Sequence, residues 1–153
     1  MSNVGTFWVK GTGVKTVKLD KKGLRFKCRR CATFCCRLGG PMVGCKDLRR
    51  LKKAISKIDS FIETAAVGTS VIKVLASKPN RQCILLRKDS RGKHRCSEYA
   101  LRPDACRTYP FKLIRQDAYL TLLVSPCRGL NYKEGQLIDE RLVGKYLRFA
   151  TVA

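Results

Sequence analysis

Cys28-Arg29-Arg30-Cys31-Ala32-Thr33-Phe34-Cys35-Cys36 puts four thiols into nine residues. Two cysteines separated by two residues can bend the chain around one metal. Thiolates hold both zinc and iron–sulfur clusters. The adjacent Cys35 and Cys36 point in different directions. Either they serve two centres, or one ligates while the other packs. Cys45, Cys83, Cys96, Cys106 and Cys127 stand singly, and the total of nine is odd. An odd count suits a disulfide framework poorly. In a reducing compartment clustered thiols are metal ligands more often than cross-links, with the cytosolic disulfides of a hyperthermophile as the alternative.

Around this run lies a strongly cationic chain. Its 153 residues carry 33 Lys and Arg against 11 Asp and Glu, a formal net charge of +22. Length predicts one domain, with or without appendages. With 44% hydrophobic residues the chain can bury a core and is no disordered basic tail. No run approaches the ~18 apolar residues of a membrane span. Residues 1–13 lack a charged-then-apolar leader pattern, so a cytoplasmic protein is expected. Residues 1–60 carry net +13, residues 78–115 net +8, and residues 116–153 are near balance. Such a charge asks for a polyanionic partner.

The apolar pattern predicts an α+β fold of short strands, hairpins and two helices. Residues 7–19 read as strand, turn and strand. Residues 24–28 alternate, placing Leu24 and Phe26 opposite Arg25 and Lys27. Leu48, Leu51, Ile55, Ile58 and Ile62 recur at helical spacing, predicting a helix over 47–65 with Asp47 as its N-cap. Short strands are expected at 71–76 and 83–87, a hairpin at 111–124, and a second helix at 136–149. The expected organisation is a basic extension over 1–24, a Cys-rich domain over 25–130, and a helix over 131–153 packed on that domain.

A second informative stretch runs Cys96-Ser97-Glu98-Tyr99, then Arg102-Pro103-Asp104-Ala105-Cys106-Arg107-Thr108-Tyr109-Pro110-Phe111. Taken with the 28–36 run, Pro41, Asp47, Cys83 before Ile84-Leu85-Leu86, and Cys127-Arg128-Gly129, it resembles the zinc- or iron-chelating family named for its C-x-x-C-x-x-C-C run. The resemblance covers residues 25–130. Three residues instead of two separate Cys31 from Cys35, Ala32 replaces a usual glycine, and Cys45 is extra. The resemblance implies eight ligands: Cys28, Cys31, Cys35, Cys36, Cys83, Cys96, Cys106 and Cys127. These fit one four-Cys centre with accessory cysteines, or two four-Cys centres. A flagellin lysine methylase with a similar motif is associated with an iron–sulfur cluster. The resemblance therefore puts iron–sulfur (4Fe–4S) ahead of zinc. Ligands so far apart in the chain would close long loops and staple the fold. Arg102 and Arg107, beside the ligands, are expected to offset thiolate charge or to bond local carbonyls. Tyr99, Tyr109 and Phe111 are expected to pack around the centre. His94 is expected to be exposed and Cys45 a small buried residue.

No catalytic residue is expected. There is no phosphate-cradling glycine loop and no paired acid and base, and the one histidine, beside a basic turn, shows no Ser-His-Asp logic. A metal saturated by four thiolates is structural. Three cationic blocks remain to be explained. They are Lys15, Lys18, Lys21, Lys22, Arg25, Lys27, Arg29, Arg30 and Arg37; then Arg49, Arg50, Lys52, Lys53 and Lys57; then Arg81, Arg87, Lys88, Arg91, Lys93 and Arg95. Phosphates would neutralise them and release counterions. No helix-turn-helix, zinc-finger spacing, RNA-recognition or KH signature is present. Cations spread over strands, turns and a helix, with Phe7 and Trp8 for stacking, suit structured RNA. By compositional analogy the chain is expected to be a non-enzymatic rRNA-binding protein of the ribosome, neighbouring ribosomal proteins, without membrane or small-molecule partners. The alternatives are an iron–sulfur redox or modification enzyme or its accessory, and a zinc- or iron-handling protein.

Overall fold

The structure, a computed structural model, describes residues 1–149. The end of the segment expected over 131–153 thus lies outside the described residues. The strands are β1 (Ser2–Lys10), β2 (Gly13–Leu19), β3 (Arg25–Phe26), β4 (Ile62–Val67), β5 (Ser70–Leu75), β6 (Leu86–Lys88), β7 (His94–Cys96), β8 (Phe111–Gln116), β9 (Tyr119–Val124) and β10 (Gln136–Leu137). The helices are α1 (Cys45–Leu51), α2 (Asp104–Thr108) and α3 (Glu140–Leu147), with 3₁₀ turns at Ile58–Phe61 and Tyr99–Leu101. The fold is mixed α+β, as the pattern predicts. It divides into two compact units: Met1–Arg29 with the chain from Thr108 onward, and Arg30–Arg107. These borders do not coincide with 1–24, 25–130 and 131–153.

The first unit is built on an antiparallel sheet ordered β2-β1-β9-β8. β1 is an inner strand, paired with β2 on one side and β9 on the other. The hairpins expected at both ends of the chain therefore form, and join as one sheet. Alternation sends Val4, Phe7, Val9, Leu113, Leu120 and Leu122 inward, where Ile138, Leu142 and Val143 cover them. Phe7 is wholly buried, so it is not available for stacking, whereas Trp8 is half-buried. Leu24 and Phe26 join this core while Arg25 and Lys27 face solvent. The helix expected over 136–149 starts late. Gln136 and Leu137 pair with β3, and the Asp139 side chain caps α3 by accepting from Arg141 N and Leu142 N.

The second unit holds two hairpins, β4–β5 and β6–β7, around Val43, Leu51, Ile58, Leu75, Cys83 and Leu85. The helix expected over 47–65 stops at Leu51. Leu51 and Ile58 still reach the core, because a 3₁₀ turn at 58–61 preserves the apolar spacing without a continuous helix. Beyond Phe61, a two-residue Gly68-Thr69 turn pairs Val67 with Ser70 and commits residues 62–75 to a hairpin. Gly68 supplies its φ of +59°. Asp47 is likewise not the N-cap. Gly44 occupies that place, and Asp47 sits in the first turn of α1 with its carboxylate turned back to accept from Gly44 N at 2.9 Å. The strand expected at 83–87 begins only at Leu86, while Cys83 forms an isolated bridge with Ser77.

Candidate metal centre

Cys31, Cys35, Cys36, Cys45, Cys83, Cys96 and Cys106 are free thiols. Six expected ligands, Cys31, Cys35, Cys36, Cys83, Cys96 and Cys106, lie in the 30–107 unit, and Cys28 and Cys127 lie in the other. In the Cys-rich unit, Cys35 and Cys36 follow one another in a turn with their Sγ atoms 3.8 Å apart. Cys83 N donates to Cys36 O at 2.8 Å, laying the two segments side by side. Cys96 closes β7 opposite Leu86, and Ser97 N donates to Leu85 O at 3.0 Å. Cys106 sits in α2, behind the buried Pro103 whose carbonyl accepts from Cys106 N at 2.9 Å.

These thiols share one electrostatic neighbourhood. A hydrogen bond from Cys36 pulls the Cys35 thiol down to about 7, helped by the charge of Arg102. The same hydrogen bond, together with burial and the charges of Cys35, Cys96 and Cys106, drives Cys36 far up. Burial, then the charges of Cys83, Cys35 and Cys96, pushes Cys106 up. Cys83 and Cys96 also rise, chiefly through burial. A cation among such sulfurs relieves both penalties, since it offsets desolvation and mutual repulsion together. In chemistry the donor set fits a thiophilic metal. Among the described residues, however, no three Cys, His, Asp or Glu side chains stand close enough together to form a coordination shell as placed.

The surroundings brace these segments. Arg102 Nη1 donates to Tyr99 O at 2.7 Å, and Arg107 donates to the carbonyls of Arg102 and Ala100. Tyr99 lies between two guanidinium groups, Arg30 at 4.2 Å and Arg102 at 3.9 Å from the ring centroid. Phe111 and Tyr109 belong to the other unit, where Phe111 packs edge-on against Phe26 and Tyr109 donates to Pro126 O at 2.6 Å. His94 accepts from Arg37 through Nδ1 at 3.0 Å. Desolvation and the charges of Arg37, Lys88 and Lys78 lower its pKa. Cys45 is exposed, not buried, because it opens α1 on the solvent side.

In the first unit, Lys27 N donates to Gly129 O at 3.0 Å, so the Cys28 and Cys127 segments run side by side. A Cβ on Gly129 would stand 2.3 Å from Lys27 O, which explains why glycine follows Cys127 at this spacing. Lys27 and Arg29 lie over the Tyr132 ring at 5.6 and 5.0 Å.

From sequence Asp47 is readable as a cap and as one of the residues that carry the family resemblance, with no structural partner assigned. It is 5% exposed and accepts from Gly44 N, from Asp104 N at 3.0 Å and from the Arg50 guanidinium. Arg50 also reaches Asp104 Oδ1 at 2.6 Å. A carboxylate in α1 thereby fixes the start of α2, the helix that carries Cys106. The i, i+3 spacing of Asp47 and Arg50 was a visible signal, but their partner Asp104 lies too far along the chain for spacing to reveal. Arg50 differs from the other nineteen cations of the three basic blocks, all of which are exposed.

The 30–107 unit draws six of the expected cysteines from four separate segments of a small mixed α+β fold, a cysteine-rich class of protein. The chain belongs to the CxxCxxCC family, described as a putative zinc- or iron-chelating domain, whose model matches residues 27–128. It is 29% identical over 160 residues to an uncharacterized protein of Methanocaldococcus jannaschii, covering 88% of this chain and 78% of that one. No solved structure matches it.

Proposed function

We propose that the chain is a non-catalytic RNA-binding protein whose Cys-rich unit is stapled by an iron–sulfur cluster or by zinc. The observation that carries this reading is the exposure of the three basic blocks. Nineteen of their twenty cations face solvent, Arg50 being the exception. Among the described residues only Lys18, Lys27, Lys52 and Arg95 of the nineteen pair with a carboxylate. Fixed cations at this density repel one another, and phosphates neutralise them. Arg29 and Arg30 are already held on aromatic faces, so less side-chain entropy is lost when they meet a phosphate.

The metal holds the fold in this reading. Cys106→Ser is expected to lose bound metal and to melt earlier, while Cys45→Ser keeps both. An iron–sulfur cluster gives anaerobically purified protein a broad visible absorption that bleaches on reduction; zinc gives none. The deciding test is sucrose-gradient sedimentation of a native lysate at moderate salt and magnesium. Co-migration with one ribosomal subunit, lost after RNase or high salt, supports a ribosome-bound role in the cytoplasm. Confinement to the top of the gradient, free of nucleic acid, sinks it and brings forward the redox enzyme or metal-handling readings.

A further inference from the structure

By sequence the last quarter of the chain, residues 116–153, is near charge balance and offers no basic block. The fold concentrates what is there. Arg141 and Lys145 on α3 and Arg148 at its C-cap stand at i, i+4 and i+7, along one helix face. Together with Arg115 from the end of β8 they line a groove of about 670 Å³ in the first unit. All four side chains are exposed. Among the described residues none of Arg141, Lys145 and Arg148 forms an ion pair. The acid of the groove, Glu140, is engaged elsewhere, because its carboxylate accepts from Thr16 N at 3.2 Å and Thr16 Oγ1 at 2.8 Å. The floor is apolar, formed by Val9, Val14 and Leu147.

Gly144 is the second observation. Glycine in a helix interior is destabilising relative to alanine. Packing does not require it here, since an added Cβ would meet only Val14 Cγ2 at an ordinary 3.8 Å. Gly144 lines the groove, so its missing side chain keeps the floor open.

We infer that this groove is a binding site for single-stranded RNA. Phosphates lie along Arg115, Arg141, Lys145 and Arg148, and an unstacked base rests on the apolar floor. The inference deepens the RNA reading above and rests on it. The volume falls within the range of sites that enclose small ligands and suits one or two nucleotides. A concave site of this size admits a splayed single strand, whereas a duplex keeps its bases stacked away from such a floor.

The test uses the full-length, metal-loaded protein. The probes are a fluorescent oligouridylate and a blunt RNA hairpin, titrated by anisotropy over a range of salt. Replacing Arg141, Lys145 and Arg148 together by Gln should lower the salt slope for oligouridylate by about 2, at about 0.7 per single-strand phosphate. Gly144→Leu keeps every charge and should weaken oligouridylate about tenfold while leaving the hairpin unchanged. The triple variant alters only exposed side chains, so it decides the matter even where Gly144→Leu misfolds. If the parent binds oligouridylate and the triple variant binds it equally well with the same slope, the groove is not the site, though the RNA reading stands. If the parent binds neither RNA, both fall.

Discussion

Removing the Asp47 carboxylate tests whether α1 positions the Cys106 helix. Asp47→Ala deletes three acceptor contacts at a group 5% exposed. The contact to Gly44 N is a first-turn cap, worth about 1 kcal/mol. The contact to Asp104 N is charge-assisted, worth about 1.5–3 kcal/mol. Breaking a buried ion pair costs about 3–5 kcal/mol when the partner is left alone. Arg50 is not left alone, since Asp104 remains at 2.6 Å, and its side chain is 26% exposed. The ion-pair loss is therefore a fraction of that range. We expect a net loss of about 3 kcal/mol, or about 6 to 12 °C in melting temperature for a chain of this size. Asp47→Asn keeps one acceptor and should fall between the two. The assay is thermal and urea denaturation of metal-loaded protein followed by circular dichroism, with metal content measured on each sample. Metal should be lost from Asp47→Ala at temperatures where the parent retains it. A change below about 0.5 kcal/mol with unaltered metal retention would refute the positioning argument.

Two further outcomes follow from the geometry. Gly129→Ala sets a Cβ 2.3 Å from Lys27 O and 2.9 Å from Phe26 Cε2, against backbone that cannot give way. It should cost about 2–3 kcal/mol, read by urea unfolding, and an unchanged midpoint would remove the close-approach argument. Metal affinity should rise steeply with pH. Cys36, Cys83, Cys96 and Cys106 are pushed above the ordinary thiol value, so each stays protonated through neutrality and gives up a proton on ligation. Cys35, at about 7, adds a proton only on the acid side. Zinc titrations between pH 6 and 8 should therefore release about 3 or more protons per metal. A release of one or none would mean that these thiols are not the ligands.

The α+β class and the β1–β2 and β8–β9 hairpins were legible because they rest on local signals. The alternation of Leu24 to Phe26, the Asp117 turn and the break at Gly11 all act within a few residues. The extent of α1 was not legible. Isoleucines at helical spacing describe a buried stripe, and a short helix followed by a 3₁₀ turn satisfies the same stripe. The candidate ligands were visible as cysteines, but which of them meet depends on contacts such as Cys83 to Cys36, 47 residues apart. Asp47 and Arg50 reach Asp104 across a similar separation. The groove cations escaped for a related reason, since Arg141, Lys145 and Arg148 come from a nearly neutral part of the sequence and Arg115 joins them only through the fold. Phe7 and Cys45 exchanged places with expectation. Phe7 lies on the core-facing side of β1, as Trp8 beside it does not, and a cysteine opening a helix faces water.

The pairing of β1 with β9 has a consequence for how the chain is born. Trp8 lies opposite Tyr119, so an inner strand of the sheet must wait for more than a hundred residues to be synthesised. At about 5–20 residues per second that is a delay of roughly 5 to 20 s. During it, β1 and β2 form at most a hairpin with one open edge. All of residues 30–107 are synthesised ahead of β8 and β9, so the Cys-rich unit emerges before the strand that completes the sheet. Metal loading can thus precede closure of the sheet, and a released chain that ends before β8 should already carry metal while the N-terminal hairpin stays open to proteolysis.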